Sequence, residues 1–164
     1  MDKEIRLVSY EEQYYQALTH FMLKKEQMDF TAMPAAVIEE AVTNPDKDPV
    51  VILCGAVPVG FFVLHKGSEY VEPAESDCKI LIRALSISME QQGKGYALEA
   101  MKRLPAWVRK FHPEMNEIIL AVNEANQAAR QLYLKSGFLD LGVRRMGRQG
   151  MQYILHYSLM RSGR

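Results

Sequence analysis

Hydrophobic and polar positions recur along this 164-residue chain with periods that mark out most of its elements. Ile5-Arg6-Leu7-Val8 alternates loosely and predicts a first strand. Ser9, followed by Glu11 and Glu12, predicts an N-cap with acids in the first turn of a helix. That helix would carry Tyr14, Leu18, Phe21 and Met22 on one face and end before Asp29. Pro34 is a favourable first helical residue and predicts a second helix through Ala35 to Val42, stopped by Asn44-Pro45. Pro49 to Cys54 and Val59 to His65 read as two strands of a hairpin around Gly55-Ala56-Val57-Pro58. The run Ile80 to Ile87 is almost continuously apolar, as befits a central strand covered on both faces. Gly93-Lys94-Gly95 opens a helix to Leu104, where Pro105 predicts a kink or restart. Glu117 to Val122 predicts a strand, Asn126 to Lys135 a helix with Gly137 as its left-handed cap, and Phe138 to Met146 with Met151 to Leu159 a final hairpin. The order β α α β β β α β α β β is that of a mixed α/β chain.

Composition narrows this picture. The chain is 48% hydrophobic and 24% charged, which excludes a disordered or collagen-like polypeptide. At this length a single domain over residues 1–164 is expected, with a core that needs no staples. Two cysteines, Cys54 and Cys78, are too few for a disulfide framework and form no Cys-x-x-Cys pair for zinc. Met1-Asp2-Lys3-Glu4 does not resemble a secretory leader, and no apolar run approaches the ~20 residues of a membrane span. A cytoplasmic protein with reduced thiols and no membrane partner is the expectation. Net charge is zero but unevenly laid out. Residues 1–90 carry 8 basic and 15 acidic side chains, whereas residues 91–164 carry 12 and 5. Such a split can mark where an anion and a cation bind, or be composition drift.

The densest candidate chemistry follows the central strand. Gln92-Gly93-Lys94-Gly95-Tyr96-Ala97 stands where a strand hands over to a helix. Glycines there let the backbone turn sharply and approach a ligand. The helix start offers unpaired N–H groups and a positive dipole end, a ready site for a phosphate or diphosphate. A P-loop requires Lys followed by Ser or Thr, but Lys94 precedes Gly95. A dinucleotide fingerprint requires a third glycine where Leu98 stands.

What remains, Gln-x-x-Gly-x-Ala, resembles the pyrophosphate loop of the GCN5-related N-acetyltransferases (GNAT), which bind acetyl-coenzyme A there. Downstream, Asn126 to Phe138 matches that family's N-x-x-A-x-x-L-Y-x-x-x-G-F at every position. The resemblance covers roughly residues 50–160. It implies a mixed α+β fold whose central, mostly antiparallel sheet splays between the fourth and fifth strands, with helices on both faces. It implies acetyl-CoA as cosubstrate and no metal. Leu85, Ser86 and Ile87 would lie on a bulged strand to which the amide-bearing pantetheine arm adds like a short strand. Gln92, Gly93, Lys94, Gly95, Tyr96 and Ala97 would hold the diphosphate; Lys94 is otherwise an exposed lysine beside a backbone that alone matters. Asn126 would cap its helix and, with Ala129, meet the pantetheine arm; capping alone is the alternative. Lys135 would reach the nucleotide phosphates or simply be solvated. Tyr133, two helical turns after Asn126, would serve the leaving sulfur, its alternative being a core tyrosine beside Leu132.

An amine acceptor must shed a proton before it attacks, and no single base is legible: Glu26, Asp29, Glu117, His20 and His65 are all candidates. His112 reads as loop and His156 as a packed mid-strand residue. The stretch holding Glu26, Met28, Asp29 and Phe30 loosely resembles the acceptor wall of bacterial polyamine (spermine/spermidine) acetyltransferases, although Met28 and Phe30 also suit a core. The acidic segment Glu69 to Asp77 could attract a cationic acceptor or be merely solvated. Arg144, Arg145 and Arg148 crowd the last hairpin, but a neutral chain without interleaved aromatics is not expected to bind nucleic acid. The implied reaction is acetyl transfer from acetyl-CoA to a small primary amine such as a polyamine by direct attack. A peptide or protein amine, or a non-catalytic acyl-CoA sensor, are the alternatives. Members of this family often dimerise, so a homodimer is a further expectation.

Overall fold

A computed structural model describes residues 4–20, 34–66 and 78–160. The expected faces at Phe21 and Met22, the stretch Glu26 to Phe30, and the acidic segment Glu69 to Asp77 lie outside the described residues. Seven strands form one sheet: β1 (Ile5–Ser9), β2 (Lys47–Cys54), β3 (Val57–Lys66), β4 (Lys79–Ile87), β5 (Glu117–Asn123), β6 (Leu139–Gly147) and β7 (Gly150–Ser158). Their spatial order is β1-β2-β3-β4-β5-β7-β6. Every neighbouring pair is antiparallel except β4 and β5. The helices are α1 (Tyr15–Thr19), α2 (Pro34–Thr43), α3 (Tyr96–Phe111) and α4 (Gln127–Lys135).

Period-two patterning sends alternate side chains of each strand to opposite faces, so a sheet covered on both sides reads as nearly all apolar. On one face Val50, Ile52, Phe62, Leu64, Ile80, Ile118 and Leu120 pack with Ala100, Met101, Leu104 and Val108 of α3. On the other face Val51, Leu53, Phe61 and Val63 pack with Leu18 of α1 and Ile38 and Ala41 of α2. The sheet therefore has an α3/α4 face and an α1/α2 face.

The α2 start at Pro34 and the β2–β3 hairpin are found as expected. Ser9 is not an N-cap. It ends β1, paired with Val50, and the chain turns through a short 3-10 segment (Glu12–Tyr14) before α1. Pro105 does not restart its helix, because α3 runs unbroken from Tyr96 to Phe111 with Pro105 buried inside it. Burial of that face, with Glu99 in the first turn and Arg109 and Lys110 in the last, outweighs the hydrogen bond that proline cannot donate.

Two irregularities shape the middle of the sheet. Phe61 pairs with Ser86 and Val63 with Arg83, so two steps on β3 oppose three on β4. The extra residue is a bulge, and Ala84 within it takes a positive φ of 61°, rare for a side chain with a Cβ. Beyond the bulge Gly60 faces Ile87 at close range. A Cβ on Gly60 would stand 2.7 Å from Ile87 Cδ1 and 2.9 Å from both Ile52 Cδ1 and the Ser86 carbonyl oxygen. Gly60→Ala should therefore overpack the bulged end of β4 and cost about 1–3 kcal/mol of stability, measured by chemical denaturation. An unchanged midpoint would show that β4 is not held there.

Candidate active site

The parallel pairing of β4 with β5 is short. It joins Lys79, Ile80 and Leu81 to Glu117, Ile118 and Ile119, and stops. From there β4 continues along β3 to Ile87, and β5 continues along β7 to Asn123. A cleft of about 1020 Å³ opens between them, walled by Ile82 to Ile87, Leu120 to Asn123, the start of α3, α4 and the β6–β7 turn.

The end of β4 aims backbone groups into this gap. Ser88 N–H donates to Val59 C=O at 2.9 Å. In an antiparallel ladder that bond makes Gly60 and Ile87 a non-hydrogen-bonded pair, so the Ile87 amide points away from β3 and toward the gap. The Ile87 carbonyl accepts from Gln92 Nε2 at 2.8 Å, which ties the glycine loop to the strand. This fixes the orientation of the Gln92 amide and leaves its Oε1 buried with no partner.

Gly93 and Gly95 both stand at φ 81°, a conformation that L side chains avoid. A Cβ on either would meet nothing within 4 Å, so their backbone looks onto open space. By position the first amides of α3 have no partner within the helix and converge there with the positive end of its dipole. Opposite, Asn126 caps α4 by accepting from the Ala129 amide at 3.2 Å. Asn126, Ala129 and Tyr133 all border the cleft. The Tyr133 ring meets Phe138 edge-on with centroids 5.8 Å apart, and burial raises its phenol above the ordinary value. It therefore stays protonated at neutral pH and can donate but not abstract a proton.

The expected site residues fall into three groups. Leu85, Ser86, Ile87, Gln92, Gly93, Gly95, Tyr96, Ala97, Asn126, Ala129 and Tyr133 come together around the cleft. Lys94 and Lys135 do not line it. Lys94 donates to Gln91 Oε1 at 3.1 Å, and Lys135 borders a smaller hollow between α3 and α4. Glu26, Met28, Asp29 and Phe30 lie outside the described residues.

None of the four histidines borders the cleft either. His20 contacts the Gln16 carbonyl, His112 sits 2.8 Å from Asp48 and His156 2.7 Å from Glu117. His65 faces Arg83 at 3.2 Å, and burial, with Lys47 and Arg83 nearby, keeps its imidazole neutral. Sequence reasoning missed the contribution of the last hairpin. Arg145, Met146, Arg148 and Gln149 border the cleft, carried there because Asn123 Nδ2 at the end of β5 donates to the Gln149 carbonyl at 2.8 Å.

A model of the acetyltransferase (GNAT) family matches residues 10–138. The chain belongs to this family. The protein named "Uncharacterized N-acetyltransferase YbbJ" of Bacillus subtilis (strain 168) is 42% identical over 160 residues, 97% of this chain and 100% of that one. Among solved structures, an aminoglycoside acetyltransferase AAC(6')-Ib with coenzyme A and kanamycin superposes with a TM-score of 0.77 at 18% identity, over 94% of this chain and 95% of that one. A spermidine N-acetyltransferase from Vibrio cholerae with CoA and spermine gives 0.71 at 16% identity, over 94% and 95%. At such identities these structures share the fold, and their mixed sheet is the one described above. This acetyltransferase is thus an enzyme of the acyltransferase class.

The glycines of the loop provide a direct test. Since Gly95→Ala meets no clash, its cost should be the backbone strain alone, about 1–2 kcal/mol of unfolding free energy by denaturant titration. A neutral substitution would mean that the loop relaxes out of the left-handed conformation.

Proposed function

We propose that the enzyme transfers the acetyl group of acetyl-CoA to the primary amine of a small molecule, with both reactants bound together. The observation that carries this reading is the interrupted pairing of β4 and β5 beyond Leu81 and Ile119. A strand edge left open inside a sheet suits an extended, amide-bearing ligand such as the pantetheine arm. Backbone of Leu85, Ser86 and Ile87 would hold that arm from one side. Asn126 and Ala129 would border it from the other, and the unpartnered Gln92 Oε1 would accept one of its amide hydrogens. Amides of Gly93 to Ala97 would hold the diphosphate.

Bound acetyl-CoA supplies an activated acyl thioester. The Ile87 amide would polarise its carbonyl as negative charge develops on oxygen. The neutral amine attacks that carbonyl carbon, a C–N bond forms, the C–S bond breaks, and the proton released from nitrogen passes to water, which restores any proton that Tyr133 gives up. Tyr133 would protonate or hydrogen-bond the departing sulfur, so that an amide and a free thiol result. Burial keeps this phenol protonated, which is the form that a hydrogen-bond donor to the sulfur requires. Lys94 and Lys135, outside the cleft, are left with long-range attraction for phosphates. A polyamine acceptor would draw on carboxylates, and the described lining supplies none. The reading therefore stops at a small primary amine.

Calorimetry with CoA and acetyl-CoA tests the binding half; no heat with either ligand refutes it. Thiol release with a panel of amines tests the chemistry. Tyr133→Phe should lower kcat by about 100-fold while leaving acetyl-CoA binding intact. The value of kcat should climb with pH as the acceptor amine loses its proton. It should show no fall due to Tyr133 below about pH 10. A falling limb between pH 7 and 9 that Tyr133→Phe abolishes would contradict the assigned role.

A further inference from the structure

Among the described residues, both faces of the sheet contribute to the lining of the cleft, and the side chains on the two faces differ in charge and chemistry. Tyr133, Asn126 and the start of α3 stand on the α3/α4 face, where the coenzyme is proposed to lie. A second reactant must then approach the thioester from the α1/α2 face. Strand register identifies which side chains look that way. Arg83 pairs with Val63 and Ser86 with Phe61, both packed under α1 and α2. Arg145 pairs with Gln152, and Gln152 with Asn123, forming one row across β6, β7 and β5. Paired residues share a face, so Arg145 joins Arg83 at the mouth of the cleft on this face. Arg148 adds a third guanidinium from the exposed tip of the β6–β7 turn.

Among the described residues no aspartate or glutamate lines the cleft. A second, independent feature sits on the same face: Ser86 is 4% exposed, borders the cleft, and its Oγ has no hydrogen-bond partner. A buried hydroxyl left unpaired is unfavourable, and a ligand N–H or oxygen would relieve it.

We propose that the acceptor of this acetyltransferase is an amine that also carries an oxyanion, a carboxylate or phosphate, which Arg148 and Arg145 hold while Ser86 Oγ meets the reacting amine. The inference rests on the acetyl-transfer reading and extends it to a substrate class. Guanidinium groups bind carboxylate and phosphate through paired, charge-assisted hydrogen bonds. The same wall repels a polycation, whose several ammonium groups would face three arginines. Arg83 keeps its place through His65, which accepts from it, and so sets the opposite lip of the mouth.

The test uses the full chain with acetyl-CoA and pairs of amines that differ only in the anion: L-phenylalanine with phenethylamine, L-lysine with cadaverine, and O-phosphoethanolamine with ethanolamine. At least one oxyanion-bearing member should exceed its partner in kcat/KM by tenfold or more, and the arms distinguish carboxylate from phosphate. Arg148→Ala, at an exposed turn where folding is not at stake, should collapse that ratio to within threefold of unity without altering the heat of coenzyme binding. Ser86→Ala should lower kcat for the preferred amine with KM for acetyl-CoA unchanged. Preference for the plain amine in every pair, or a ratio that survives both Arg148→Ala and Arg145→Ala, overturns the inference while leaving acetyl transfer standing. Coenzyme that binds without thiol release from any amine, or a chain that does not bind coenzyme, overturns both.

Discussion

The structure depends on a failure of pairing. Three residues of β4 meet three of β5, and then the two strands part. Nothing in the chemistry of Ile82 to Ile87 forbids further pairing, for these are ordinary strand residues. The departure is enforced on the β3 side, where the extra residue at Ala84 bends β4 and Gly60 lets Ile87 and Ser86 approach more closely than any side chain would permit. A bulge raises local twist and redirects the strand. The open edges that result would invite aggregation on a sheet's outer rim. Here they face inward, enclosed by α3 and α4, and remain available to a ligand.

This explains why the neighbouring features occur together. Gln92 can reach the Ile87 carbonyl only because β4 ends at the mouth of the glycine loop. Asn126 serves as a cap at the place where α4 leaves β5, so its helix starts beside the gap and brings Tyr133 along it two turns later. The hairpin β6–β7 is anchored by Asn123 at the far end of β5 and carries its turn over the same opening. Each element is positioned by a terminus of β4 or β5. A change in the length of their pairing would displace all of them together.

Much of this was legible in the residues, and the reasons for success and failure differ. Gly93, Gly95, Gly137 and Asn126 could be read because their roles are local: positive φ and helix capping depend on a few adjacent bonds. The strands could be read because a sheet covered on both faces demands apolar runs. The bulge was legible only through family resemblance, since alanine carries no preference for the conformation that Ala84 adopts. Pro105 misled because local propensity was outweighed by burial along α3. The arginine mouth stayed hidden for a different reason. Arg83 is far in sequence from Arg145 and Arg148, and only strand register and the Asn123–Gln149 bond bring the three to one side of a gap.

The charge at that mouth bears on the step for which no base was found. The described lining offers neither imidazole nor carboxylate, and Tyr133 is held protonated. An alkylamine in water is only about 0.04% neutral at pH 7. A neighbouring positive charge disfavours the ammonium form, and each unit by which its pKa falls makes the neutral amine about ten times more abundant. A wall of guanidinium groups would thus do part of the work of a base, provided that something other than the ammonium anchors the molecule against repulsion. An oxyanion elsewhere on the acceptor would provide that anchor. The attraction that holds such a molecule and the repulsion that frees its nitrogen would then arise from the same side chains, acting on opposite ends of one substrate.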